Sequence, residues 1–120
     1  MKIIMIHRMG EMRQSIGKII KPEHEFLHFE DASANILAFL VLTKPDLVII
    51  QLSIIQAMAT TDFITTLKNM TSAEVWIVSG ALDDVAIQNM NLPWVDKALN
   101  TTDIINALRE KELLRAQITQ

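Results

Sequence analysis

The chain has 120 residues, half of them hydrophobic and 21% charged, which excludes a disordered chain and fits one domain with its own core. Cysteine is absent, so a disulfide scaffold, a thiolate metal site and a cysteine nucleophile are excluded. Eleven basic and 14 acidic residues give a net charge of −3, which argues against broad nucleic-acid binding by this domain. The longest apolar run, Ile36 to Leu42, is far short of the roughly 20 residues of a membrane span. The apolar stretch after Lys2 is also too short for a signal-peptide core, so a cytoplasmic, non-membrane location is expected.

The run Lys2–His7 reads as a strand buried on both faces. Met12, Ile16, Ile19 and Ile20 recur at helical spacing between Met9 and Lys21, and Pro22 ends that helix. His24 to Phe29 reads as a second strand. Ser33 is a suitable N-cap for a helix running to about Leu42. Asp46 to Ile50 is the clearest strand. A Thr-rich third helix is expected from Thr60 to Met70, and a fourth strand over Val75–Ser79. A short fourth helix over Asp83–Met90 and a short fifth strand over Pro93–Asp96 follow. Thr101 or Thr102 caps a last helix that carries Ile104, Ile105, Leu108 and Leu114.

Five strand–helix units with short connections predict an α/β three-layer sandwich around a parallel sheet. In such sheets the site lies beyond the carboxyl ends of the strands. That rule selects His7-Arg8, Gln51-Leu52, Ser79-Gly80 and Lys97.

Five segments in order resemble a CheY-like receiver domain of bacterial response regulators. Lys2-Ile3-Ile4-Met5-Ile6-His7-Arg8 stands where the family has an apolar strand ending in an acidic pair. Pro45-Asp46-Leu47-Val48-Ile49-Ile50-Gln51 is similar to the family's P-D-L-V-L-L-D. Ser79-Gly80 matches the hydroxyl and small residue ending the fourth strand, Trp94 the switch aromatic, and Lys97 the family lysine. The resemblance covers nearly the whole chain. It implies a flavodoxin-like sheet of strand order 2-1-3-4-5. His7 to Gln51 is 44 residues and Gln51 to Ser79 is 28, both close to the family's intervals. Ser79 to Lys97 is 18, about one helical turn short, which implies a shortened fourth helix.

The departures bear on function. A working receiver phosphorylates an aspartate with the help of magnesium, a hard cation held by carboxylates. Here the acidic pair is His7 and Arg8, and the phosphoacceptor is Gln51, which is no carboxylate nucleophile. Three acids and a lysine become Arg8 and Lys97 with no acid. The proline usual four residues after the acceptor is Ile55. The resemblance therefore implies a pseudo-receiver with no metal, no cofactor and no catalytic residue. Lys97 donating to the Gln51 amide oxygen would hold it in one conformation.

Such a module acts through protein contacts, with a partner or as a homodimer, using the fourth helix, fifth strand and fifth helix. Transcription regulators with degenerate receivers and pilus-assembly localisation proteins set the context. The alternative is a sensor whose Arg8, Lys97 and Ser79 hold a small anion. Against it stand ordinary surface pairs, Arg8 with Glu11 and Lys97 with Asp96. An enzyme is disfavoured: Ser79 and His7 have no acid at a strand end to orient the histidine. His24 and His28 lie four apart without a carboxylate partner, a poor metal pair. Trp94 reads equally as a docking residue or as a core residue. Residues 110–120 extend the last helix with good helix formers, as a linker to an effector domain or as a tail.

Overall fold

The computed structural model describes residues 1–57, 62–80 and 95–115. The strands are β1 (Lys2–Ile6), β2 (Glu25–Phe29), β3 (Leu47–Gln51), β4 (Glu74–Ser79) and β5 (Lys97–Asn100). The helices are α1 (Gly10–Ile19), α2 (Ala34–Thr43), α3 (Leu52–Ala57), α4 (Asp62–Met70) and α5 (Ile104–Glu110). All strand pairs are parallel, in the order β2-β1-β3-β4-β5, the flavodoxin-like order expected from the sequence. Among the described residues no helix is long and apolar enough to cross a membrane.

The sheet is apolar on both faces because β1 and β3 are buried at every central position. Ile4, Ile6, Val48, Ile50, Val75 and Ile77 face one way, onto Leu40 of α2, Ile54 of α3 and Ile64 and Leu67 of α4. Ile3, Met5, Leu47, Ile49, Trp76 and Val78 face the other, onto Ile16 of α1 and Ile104, Ala107 and Leu108 of α5. Side chains alternate across a strand, so two cores on one sheet follow from uninterrupted apolar runs.

Local chemistry sets the ends. Ser33 Oγ accepts from the Ile36 N–H at 3.2 Å, the cap expected for α2. Lys44 stops that helix in a left-handed conformation, φ 51°. α1 begins at Gly10, where φ stays negative, and its Gly17 packs against Phe26 of β2, so close that a β-carbon would stand 3.2 Å from the ring. Two helical turns were not anticipated: α3 starts directly after Gln51, and residues 101–103 form a 3-10 turn ahead of α5. The expected fourth helix over 83–90, with its shortening, and Trp94 lie outside the described residues.

Two expectations are corrected. The fifth strand is Lys97–Asn100; Val95 and Asp96, the described part of the expected strand Pro93–Asp96, lie before it. Asp96 fixes this register: its backbone N–H donates to Val75 O at 2.9 Å, while its Oδ2 accepts from Val75 N at 2.7 Å and from Lys68 Nζ at 2.8 Å. The last helix does not continue through residues 111–115. It ends at Glu110, Glu112 turns left-handed at φ 64°, and Leu114 bridges Ile20 in antiparallel fashion. Lys21 N donates to Leu113 O at 2.8 Å and Arg115 N to Ile19 O at 2.7 Å, while Leu113 is 2% exposed. Burial of Leu113 and these backbone bonds outweigh the helix propensity of the segment.

Asp96→Ala removes two hydrogen bonds to the carboxylate and leaves the Val75 N–H without its side-chain acceptor. It is expected to cost about 2 kcal/mol, and Asp96→Asn about half that, because the amide keeps an acceptor oxygen. Urea unfolding measures both; a loss under about 0.5 kcal/mol for the alanine variant would show that the aspartate does not fix the strand.

Candidate functional site

β1 ends at Ile6 and α1 begins at Gly10, so His7, Arg8 and Met9 turn the chain over the carboxyl edge of the sheet. His7 continues the β1 ladder, its N–H donating to Phe29 O at 3.0 Å. Its ring is 2% exposed, and Nδ1 accepts from the Met9 N–H at 3.1 Å. A backbone N–H only donates, so Nδ1 carries no proton. Burial first, then the nearby Arg13 charge, hold the imidazole pKa below its ordinary value.

Arg8 and Gln51 meet through the backbone. The Arg8 N–H donates to Gln51 Oε1 at 2.9 Å, while the Arg8 side chain is exposed. Gln51 closes β3 beside Val78, and Ser79 closes β4 beside Asn100 of β5. Gly80 follows so near the 3-10 turn after β5 that a β-carbon on it would lie 3.4 Å from Thr101 Oγ1. The parallel order of the strands puts His7, Arg8, Gln51, Ser79 and Gly80 at the carboxyl edge of the sheet.

Lys97 does not join them. It opens β5, paired with Trp76, and the strand runs three more residues to Asn100, about 10 Å further on. Its Nζ sits 5.2 Å from the centre of the Trp76 ring. The residue at the end of β5 is Asn100, 21 positions after Ser79. The expected hydrogen bond from Lys97 to Gln51 is therefore replaced by the Arg8 backbone N–H. An anion pocket made by Arg8 and Lys97 is likewise not assembled. Nor does Lys97 pair with Asp96, which holds Lys68.

Lys97 instead borders an open recess of about 380 Å³ with Glu74, Trp76, Ala107, Glu110 and Lys111. Trp76 Nε1 donates to Glu74, and Lys111 Nζ reaches the other Glu74 oxygen at 3.0 Å. Desolvation raises the Glu74 pKa, but these two hydrogen bonds and the Lys111 charge outweigh it, and the net shift is downward. Asp96 is lowered in the same way: desolvation opposes, and the bonds from Lys68 and Val75 prevail.

Sequence reasoning missed Arg13. It lies on the second turn of α1, three residues before buried Ile16, and its Nη1 donates to His28 Nδ1 at 2.7 Å. Desolvation and the Arg13 charge lower the His28 pKa. A basic residue beside the apolar stripe of α1 was the available signal. His24 instead meets the Met1 amine at 3.2 Å, so the two histidines serve separate contacts. Among the described residues no cluster of three or more His, Asp or Glu is placed to hold a metal.

No protein-family model matches the chain, and no curated protein matches it significantly.

A histidine whose folded pKa is depressed favours folding above its unfolded pKa, and that contribution is lost as pH falls. Stability is therefore expected to decline below about pH 6.5, with a further decline below about pH 4 from Glu74 and Asp96. His7→Asn keeps an acceptor for the Met9 N–H and cannot titrate. Chemical denaturation across this range should show a shallower upper step in the variant; an unchanged step would exclude His7 as its source.

Proposed function

We propose that this chain is a pseudo-receiver, a signalling module that works through protein contacts and carries out no phosphotransfer. The fold alone would not carry this, because sheets of this order host many functions. The observation that carries it is the Gln51 amide. It stands where the resembling family keeps its phosphoacceptor, and its oxygen is already bound by the Arg8 N–H at 2.9 Å.

Three things follow from that geometry. An amide does not attack a phosphoryl group. Positions 7, 8 and 51 offer no carboxylate to a hard cation. The bond from Arg8 to Gln51 ties the β1–α1 turn to β3 without any ion. In this reading the module is a non-enzymatic, cytoplasmic regulatory domain of a transcription regulator or a related bacterial protein. Its contact face includes edge strand β5 and the exposed side of α5, where exposed Arg109 bonds to Asn106 of its own helix, at 3.0 Å. Homodimerisation or a protein partner on that face supplies the output.

Two measurements test it together. Incubation with acetyl phosphate or beryllofluoride and magnesium is expected to leave both the intact mass and the backbone amide spectrum unchanged. A phosphoryl adduct, or a magnesium-dependent shift at Gln51 or Ser79, would overturn the reading. Sedimentation is expected to show self-association that Arg109→Glu weakens about tenfold, since rim charges act modestly and reversal adds repulsion.

A further inference from the structure

Helix α2 turns one face to the core and a second, equally uncharged face outward. Ile36, Leu37 and Leu40 pack against the sheet, while Asn35, Ala38, Phe39 and Leu42 are exposed. Those four recur at i, i+3, i+4 and i+7, the spacing of a seam between two helices. Leu42 is 81% exposed and Phe39 36%, and no charged residue stands between Asp31 and Lys44. A lone exposed leucine is ordinary, but a solvated helix face normally carries charge, and this one carries none. The Phe39 ring is held edge-on by Phe29 of β2, 5.7 Å between centroids and 71° between planes, so it is set in place before any partner arrives.

The charges at the two ends of the face select what covers it. Glu30 and Asp31 are exposed ahead of α2, and Lys44 is exposed at its C-terminal cap. Among the described residues none of the three forms an ion pair. Ser33 and Lys44 flank the helix, so its midpoint falls between Ala38 and Phe39. A second α2 laid antiparallel about that point sets each Phe39 against Ala38 of the other copy, large beside small. It also brings each Lys44 to the Glu30–Asp31 end of the other copy and opposes the two helix dipoles. A parallel pair would put acid against acid and lysine against lysine. A lipid surface suits the face less, because interfacial helices are bordered by Lys and Arg, and one end here is acidic.

We propose that α2 is a self-association face on which a second copy of this chain seats antiparallel, about a two-fold axis beside Ala38 and Phe39. The face is separate from β5 and α5, and the pairing does not rest on the pseudo-receiver reading. A helix of ten residues is about 15 Å long, so the contact is far smaller than the roughly 800 Å² per partner of a stable complex. The pairing is therefore transient, with a dissociation constant on the order of 100 µM. Together with a homodimer through β5 and α5, it links copies beyond a dimer.

The test is a dilution series of the full chain from about 1 mM, followed by backbone amide spectra. Shifts over Asn35–Leu42 report this face and shifts in β5 and α5 the other, so either can fail alone. Concentration-dependent shifts are expected over Asn35–Leu42, and Leu42→Glu should weaken them at least about tenfold, since it buries an unpaired charge in the seam. Leu42 is solvated in the single chain, so that variant should keep its melting temperature. Charge reversal checks the direction of the pair. Lys44→Glu alone, and Glu30→Lys with Asp31→Lys in one chain, should each weaken pairing about threefold. An equimolar mixture of the two reversed chains should pair more tightly than either alone, because each end again joins acid to base. Circular dichroism confirms that each variant is folded. No concentration dependence over Asn35–Leu42, wild-type pairing in Leu42→Glu, or no gain on mixing would overturn the proposal. So would α2 amides that dilution leaves unmoved and phosphatidylcholine vesicles broaden, which would give the face to a lipid surface.

Discussion

Strands β1 and β3 lie side by side in register, Ile3 with Leu47 through Ile6 with Ile50, and all eight residues are at most 1% exposed. Eight consecutive-run apolar side chains pointing alternately to two faces demand cover on both. Helices α2, α3 and α4 cover one face and α1 and α5 the other, so the three-layer architecture follows from this pair. The same constraint leaves no polar group inside the body of these two strands. Chemistry is displaced to their ends, where the ladder stops and His7 and Gln51 are the first side chains able to bond to anything but hydrocarbon.

Two aspartates set where the strands begin. Asp46 Oδ2 accepts from Lys2 N at 2.6 Å while its own N–H donates to Lys2 O at 2.9 Å. Asp96 does the same to Val75. Each carboxylate holds the first rung of a parallel pair, where the ladder would otherwise expose an unmatched N–H to solvent. The position of Lys97 follows from this. It comes directly after the rung-setting aspartate, so it must open its strand. Its amine then covers the Trp76 ring and lies far from the carboxyl edge.

Much of this was legible in the sequence, for a physical reason. Central strands β1, β3 and β4 are continuous apolar runs, and Ser33 has the side chain that an N-cap requires. The strand order came from motif resemblance, and the sheet has that order. β5 was displaced by a few residues because it is an edge strand, half-buried along its length, and Lys-Ala-Leu-Asn carries no apolar run. Pro93-Trp94-Val95 reads as the stronger strand by composition. The end of α5 was hidden by the reverse effect: Glu110 to Arg115 is rich in helix formers, yet Leu113 finds more burial by leaving the helix axis. α3 was hidden because Leu52, Ile54 and Ile55 extend the apolar run of β3, and periodicity does not separate a buried strand from a buried helical turn. Arg13 was passed over because a charged residue on a helix is ordinarily solvated, and only the position of His28 across the strand pair gives it a partner.

The electrostatics of the carboxyl edge separate two kinds of control. A cluster of carboxylates is unstable without a cation and changes when a phosphoryl group arrives, so it is a switch driven by charge. The contact from the Arg8 N–H to Gln51 Oε1 is a bond between neutral dipoles. It needs no ion, is little affected by salt, and offers nothing for magnesium to displace. Signals that act through the proposed pseudo-receiver must then enter by another route. In that reading the route is a partner at the β5–α5 face. Two hydrogen bonds, from the Met9 N–H to His7 Nδ1 and from the Arg8 N–H to Gln51 Oε1, hold the turn between β1 and α1 against the end of β3 without any charge.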